Sequence, residues 1–98
     1  MADDALHPLD PPPDAREKGG HEVLRCFVVD NGLSIALRRS FDEAGTWGVL
    51  LADLARHAAR IYALETDISE DEALETIKAM FDAEWSRPTD FGVTSAMN

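Results

Sequence analysis

SFDEAGTWGVLLADLARHAARIYALET, residues Ser40–Thr66, is the longest periodic stretch of this 98-residue chain, and its reading decides the fold. Trp47, Leu50, Leu51, Leu54, Ala58, Ile61 and Tyr62 recur at steps of three, four and seven. Such steps gather large side chains on one stripe of a helix, with Asp53, Arg56, His57 and Arg60 on the other side. An amphipathic helix of this kind needs an apolar surface to lie on. Its start is marked by Ser40 and Glu43 at capping-box spacing, with Asp42 as an alternative cap. Gly45 and Gly48 each weaken the first turns by about 0.5–1 kcal/mol relative to alanine. Because they flank Trp47, this end is expected to pack tightly against a neighbour.

Upstream, EVLRCFVVD (22–30) and LSIALR (33–38) flank Asn31-Gly32. Asn-Gly between two β-rich runs is a strong hairpin signal, since a type I′ turn needs positive φ at both central residues. A two-residue loop pairs Val28 with Ile35 and Cys26 with Leu37, and sets Arg25 opposite Arg38. A three-residue loop ending in a Gly32 bulge instead groups Phe27 and Val29 with Leu33, Ile35 and Leu37. The two-residue loop is preferred. In either register one face is apolar and the edges are open to pairing with another copy.

Downstream, Ser69-Glu70-Asp71-Glu72 is a capping box followed by acid in the first turn, where the helix dipole favours negative charge. Ala73, Leu74, Ile77, Met80, Phe81 and Trp85 continue it as a second apolar stripe, which Pro88 brings to an end near Ser86. The short link from Thr66 to Ser69 makes the two helices an antiparallel pair. Residues 1–21 hold four of the five prolines, several acids and Gly19-Gly20, and read as a disordered leader in which Pro11–Pro13 favour polyproline II. Residues 89–98 show no periodicity and read as a frayed tail. The expected fold is therefore α+β, a β-hairpin followed by two antiparallel helices (ββαα) over residues 22–88, completed by dimerisation.

The net charge of −10 is unevenly placed: residues 67–88 carry seven acids against Lys78 and Arg87, while residues 21–41 are slightly basic. A surface of that sign repels phosphate backbones and anionic lipid, which argues against nucleic-acid and membrane-surface partners. No apolar run approaches the roughly 20 residues of a spanning helix. A single cysteine, Cys26, excludes an intrachain disulfide and suits a reducing cytoplasm; inside its apolar run it reads as a buried, inert thiol.

The candidates for chemistry are few. Asp53 and His57, four apart on the central helix, have the spacing of a metal pair, but two groups do not make a site and Arg56 and Arg60 lie beside them; a solvated pair is expected. Arg25 and Arg38, opposed in the preferred register, would repel unless an anion or carboxylate lies between them. The acids of the second helix, in the same or a partner chain, are the expected counter-charges, and a small anion is the alternative. Trp47 and Trp85 suit the walls of a ligand pocket, although large aromatics on inner helical stripes are more often core. Gly-rich phosphate loops, Cys/His metal patterns and Gly-x-Ser-x-Gly elbows are lacking, so enzymatic activity, metal and cofactor have no support.

Glu22-Val-Leu-Arg25, Asn31-Gly32-Leu33, Trp47-Gly-Val-Leu-Leu-Ala-Asp-Leu-Ala-Arg-His57 and Phe81-Asp-Ala-Glu-Trp85 together resemble a family of small bacterial proteins known only as a domain of unknown function, over residues 22–90. The resemblance implies a bacterial cytoplasmic source and carries no catalytic residue. The expectation is a non-enzymatic, self-associating homodimer serving as a protein-interaction or regulatory module, with a small-ligand or anion module using Arg25 and Arg38 as the alternative.

Overall fold

A computed structural model describes residues 6–89 and 92–97. Its elements run α1 (Pro13–Lys18), β1 (Leu24–Val29), β2 (Gly32–Arg38), α2 (Gly45–Glu65), α3 (Glu70–Ser86) and β3 (Val93–Met97). The chain is mixed α+β, with the expected order of hairpin and then helices, but a third strand follows.

The hairpin turns one residue earlier than Asn-Gly suggests. Val29 faces Gly32 across the sheet, so the turn residues are Asp30 and Asn31. They have φ of 50° and 66°. Asp and Asn are the non-glycine residues that enter this region most readily, and together they meet the type I′ requirement without Gly32. The shift moves every pairing by two residues while keeping each side chain on the face the two-residue loop assigns. Leu24, Cys26 and Val28 share one face with Ile35 and Leu37, whereas Arg25 stands opposite Ala36 instead of Arg38.

The segment expected to fray instead holds β3, which pairs in parallel with β2 from Ser34↔Val93 to Arg38↔Met97. Strand order is β1-β2-β3, with β2 central. Gly92 makes the approach possible: its φ is +66°, and a Cβ there would lie 2.5 Å from the Leu33 carbonyl oxygen. Parallel pairing needs a crossover of a dozen or more residues, and α2 and α3 supply it.

Helix α2 begins at Gly45, after a bent segment, with Ala44 as a cap that makes no side-chain bond. Ser40 does not cap it. Its backbone is left-handed, φ 62°, and its hydroxyl donates to the Arg38 carbonyl. The cap of α3 is as expected: Ser69 Oγ accepts from the Glu72 amide at 3.1 Å, and the helix ends at Ser86. The two helices meet through small side chains, Ala59 and Ala73, which are the only buried residues among those described. Arg60 Nε lies 3.8 Å from Glu70 Oε2 and ties the closed end of the pair. Within the leader, Pro13–Lys18 is helical instead of polyproline II, with proline in the first turn, where its missing N–H costs nothing.

Among the described residues, no strand Cα comes within 8 Å of a Cα of α2 or α3. A crossover helix pair ordinarily lies on the face of the sheet whose parallel strands it connects. Here the hairpin of helices and the sheet stand apart. The radius of gyration is 15.3 Å, against about 12.6 Å for a compact chain of this length.

Candidate interaction surface

Trp47 and Trp85, separated by most of the helical pair in sequence, line the same open groove. It measures about 920 Å³ and is bounded by the first turns of α2 and the length of α3, with Leu51, Leu74, Ile77 and Phe81 also on its walls. The walls arise because α2 turns its Ala52, Ala55 and Ala59 side toward α3, roughly a quarter turn away from its large-residue stripe. The stripe itself stays open: Leu51, Leu54, Ile61 and Tyr62 are all exposed. Phe81 and Trp85 stack with ring centres 5.5 Å apart, yet Trp85 remains 75% exposed. Trp47 is better held, since its Nε1 donates to the Arg39 carbonyl at 2.8 Å and Phe41 meets it edge-on. Gly45 and Gly48 are not packed tightly: a Cβ on either would meet nothing within 4 Å. Arg56 also lines the groove, as do Lys78 and Asp82, whose Nζ and Oδ2 pair at 2.8 Å.

A second apolar surface is the sheet face of Leu24, Cys26, Val28, Ile35 and Leu37. Val28 is 77% exposed, and Cys26 is exposed as well, not buried as its apolar neighbours in sequence suggest. A cleft of about 770 Å³ separates β1 from residues 6–9 of the leader. Twelve large apolar side chains between Val28 and Trp85 are exposed among the described residues. The chain's accessible surface is 8677 Å², where a compact monomer of 10.8 kDa exposes roughly 5500 Å².

Arg25 and Arg38 do converge, but on Glu22 and not on the acids of α3. Arg25 Nε donates to Glu22 Oε2 at 2.8 Å, and Arg38 Nε donates to the Glu22 carbonyl at 3.0 Å. Glu22 is the residue that sequence reasoning missed; its position three before Arg25 was the available signal. Asp53 and His57 are exposed on α2, and among the described residues no group of three or more His, Cys, Asp or Glu is placed to hold a metal ion. Zinc or nickel titration is expected to leave the melting temperature unchanged; a rise abolished by His57→Ala would establish a metal site. Among the described residues no helix is long and apolar enough to cross a membrane.

The family profile described as "Domain of unknown function (DUF5076)" matches residues 8–89. The chain belongs to this family. The match reaches into the leader, so the DUF5076 unit begins well before the first strand. A solved structure from the photosynthetic bacterium Rhodopseudomonas palustrus CGA009, provisionally described as a pyruvate dehydrogenase, is 51% identical. The likeness covers 95% of this chain and 97% of that one, with a TM-score of 0.72. No curated protein matches.

Proposed function

We propose that this DUF5076 protein is a small, non-enzymatic module that acts through protein–protein contact, first of all with a second copy of itself. The observation that carries this reading is the separation of sheet from helices, which leaves two apolar surfaces of one chain both uncovered. The excess surface, roughly 3100 Å² per chain and so about 6200 Å² for two, exceeds the about 2000–5000 Å² in total that obligate dimers bury. Not all of it needs to be covered for association to be strong.

The anion-binding alternative is disfavoured by Glu22, whose carboxylate already answers Arg25. A phosphate or carboxylate ligand would have to displace it. The dehydrogenase description of the Rhodopseudomonas relative does not change this reading. Besides Arg56 and the Lys78–Asp82 pair, the groove's large side chains are apolar.

Sedimentation equilibrium at micromolar concentration is expected to return twice the chain mass. The charged side chains around the groove give a modest loosening with salt, because exposed charges more than about 10 Å apart are screened at 0.1 M ionic strength. A single species of 10.8 kDa would overturn the proposal.

A further inference from the structure

Resting on the self-association just proposed, the geometry points to the form it takes: two copies exchange layers. The groove between α2 and α3 of each chain seats on the Leu24, Cys26, Ile35 and Leu37 face of the other chain's sheet.

Three observations lead there. The first is fit. A helix pair and a sheet face of similar apolar character are the two halves of an ordinary two-layer α/β unit. The sheet's strands are 6, 7 and 5 residues long, about 17–23 Å, and α2 with 21 residues spans about 31 Å, so a helix pair covers such a sheet completely.

The second observation is what holds the halves apart within one chain. Both connections between them are fastened locally. On the side leading into α2, the Phe41 amide donates to the Arg39 carbonyl at 2.6 Å and Trp47 Nε1 donates to the same oxygen at 2.8 Å. Ser40, in its left-handed conformation, lies between them. On the side leaving α3, the Thr89 amide and hydroxyl both donate to the Glu84 carboxylate, at 2.9 and 2.8 Å. A second copy reaches both surfaces with these ties intact. A short linker under backbone strain, as at Ser40, favours exchange between chains.

The third is charge. Helix α3 carries Glu70, Asp71, Glu72, Glu75, Asp82 and Glu84 against Lys78, whereas the first two strands and their flanks carry Arg25, Arg38 and Arg39 against Glu22 and Asp30. Packing helix pair on helix pair would set two strongly acidic helices side by side. Packing helix pair on sheet sets the acidic helix against the uncharged strand face of Leu24, Cys26, Val28, Ile35 and Leu37, with Arg25 and Arg38 on the reverse face. A twofold axis closes the exchange, since each copy offers one surface of each kind and leaves none over.

The test uses the native Cys26 as a reporter. Full-length chains carrying Leu74→Cys, Ile77→Cys or Phe81→Cys, each with Cys26→Ser, are mixed with differently tagged wild-type chains, re-equilibrated through mild urea and oxidised. Exchange predicts a mixed disulfide between Cys26 of one chain and the groove cysteine of the other in at least one mixture. It also predicts that native Cys26 reacts with a maleimide at least 100-fold more slowly than in urea. Absence of the mixed disulfide from all three mixtures overturns the exchange. So does an internal disulfide in a monomeric Ile77→Cys chain that retains Cys26, which would show the helices folding onto their own sheet. The proposal of self-association fails separately, on a monomeric mass. A dimer that cross-links only groove to groove, or Cys26 to Cys26, preserves the association and discards the exchange.

Discussion

Ile77→Asp is expected to convert the protein from a dimer to a monomer at micromolar concentration, weakening association by at least 1000-fold. Ile77 lies midway along the groove wall, between Leu74 and Phe81, and is half-buried even in the single chain. A carboxylate closed there sits among Leu74, Phe81 and an apolar partner surface, and burying a charge in such surroundings costs several kcal/mol even with Arg56 and Lys78 on the groove wall. A loss of about 4 kcal/mol corresponds to that 1000-fold change. Leu64→Asp is the matched control: Leu64 is 80% exposed at the far end of α2 and is not part of the groove. Its change should stay within about 0.5 kcal/mol, as for ordinary surface substitutions. Sedimentation equilibrium and urea unfolding at two protein concentrations check both variants. An Ile77→Asp protein that remained dimeric would remove the groove from the interface.

Gly92→Ala is expected to detach β3 while leaving the helices intact. The added methyl would lie 2.5 Å from the Leu33 carbonyl oxygen, a distance that backbone atoms cannot tolerate, and the position also holds φ +66°. The left-handed conformation alone costs a non-glycine residue about 1 kcal/mol, and relieving the clash requires β2 and β3 to move apart, so a total of about 2–4 kcal/mol is expected. Amide exchange resolves where the loss falls. Protection should drop along the β2–β3 ladder and persist in α2 and α3. Gly20→Ala, with nothing near its Cβ and no positive φ, should leave the same amides within experimental scatter of the wild type. Unchanged protection in Gly92→Ala would mean that β3 is not anchored through this contact.

Much of the architecture was legible because it rests on local chemistry. The Ser69 cap and the Pro88 stop bracket α3 through interactions within a few residues. The two faces of the hairpin follow from its two-residue loop. Where the reading failed, a nearby residue did the same physical work differently. Asp30 tolerates positive φ well enough to share the turn with Asn31, which moves Arg25 away from Arg38. Ser40 turns its hydroxyl back to Arg38, so the helix starts four residues later, at Gly45. The third strand was not legible at all. Five residues, two of them small, carry too little pattern, and their partner strand is far away in sequence. The candidate surface was half visible: Trp47 and Trp85 were singled out and do share a groove. Its openness depends on α2 using alanines to meet α3, which a stripe of large residues does not reveal.

The placement of β3 also sets the order in which the protein acquires its shape. The β1–β2 hairpin and the helix pair each close over short loops, on timescales of microseconds. Pairing Ser34 with Val93 closes a loop of 59 residues, a length-dependent entropic cost on the order of 3–4 kcal/mol. Two prefabricated pieces therefore exist before the sheet is finished, each with a sticky side. During that interval the central strand offers a bare edge to any chain that arrives first. Refolding yield should accordingly fall as protein concentration rises, with the slowest kinetic phase belonging to the arrival of the last strand.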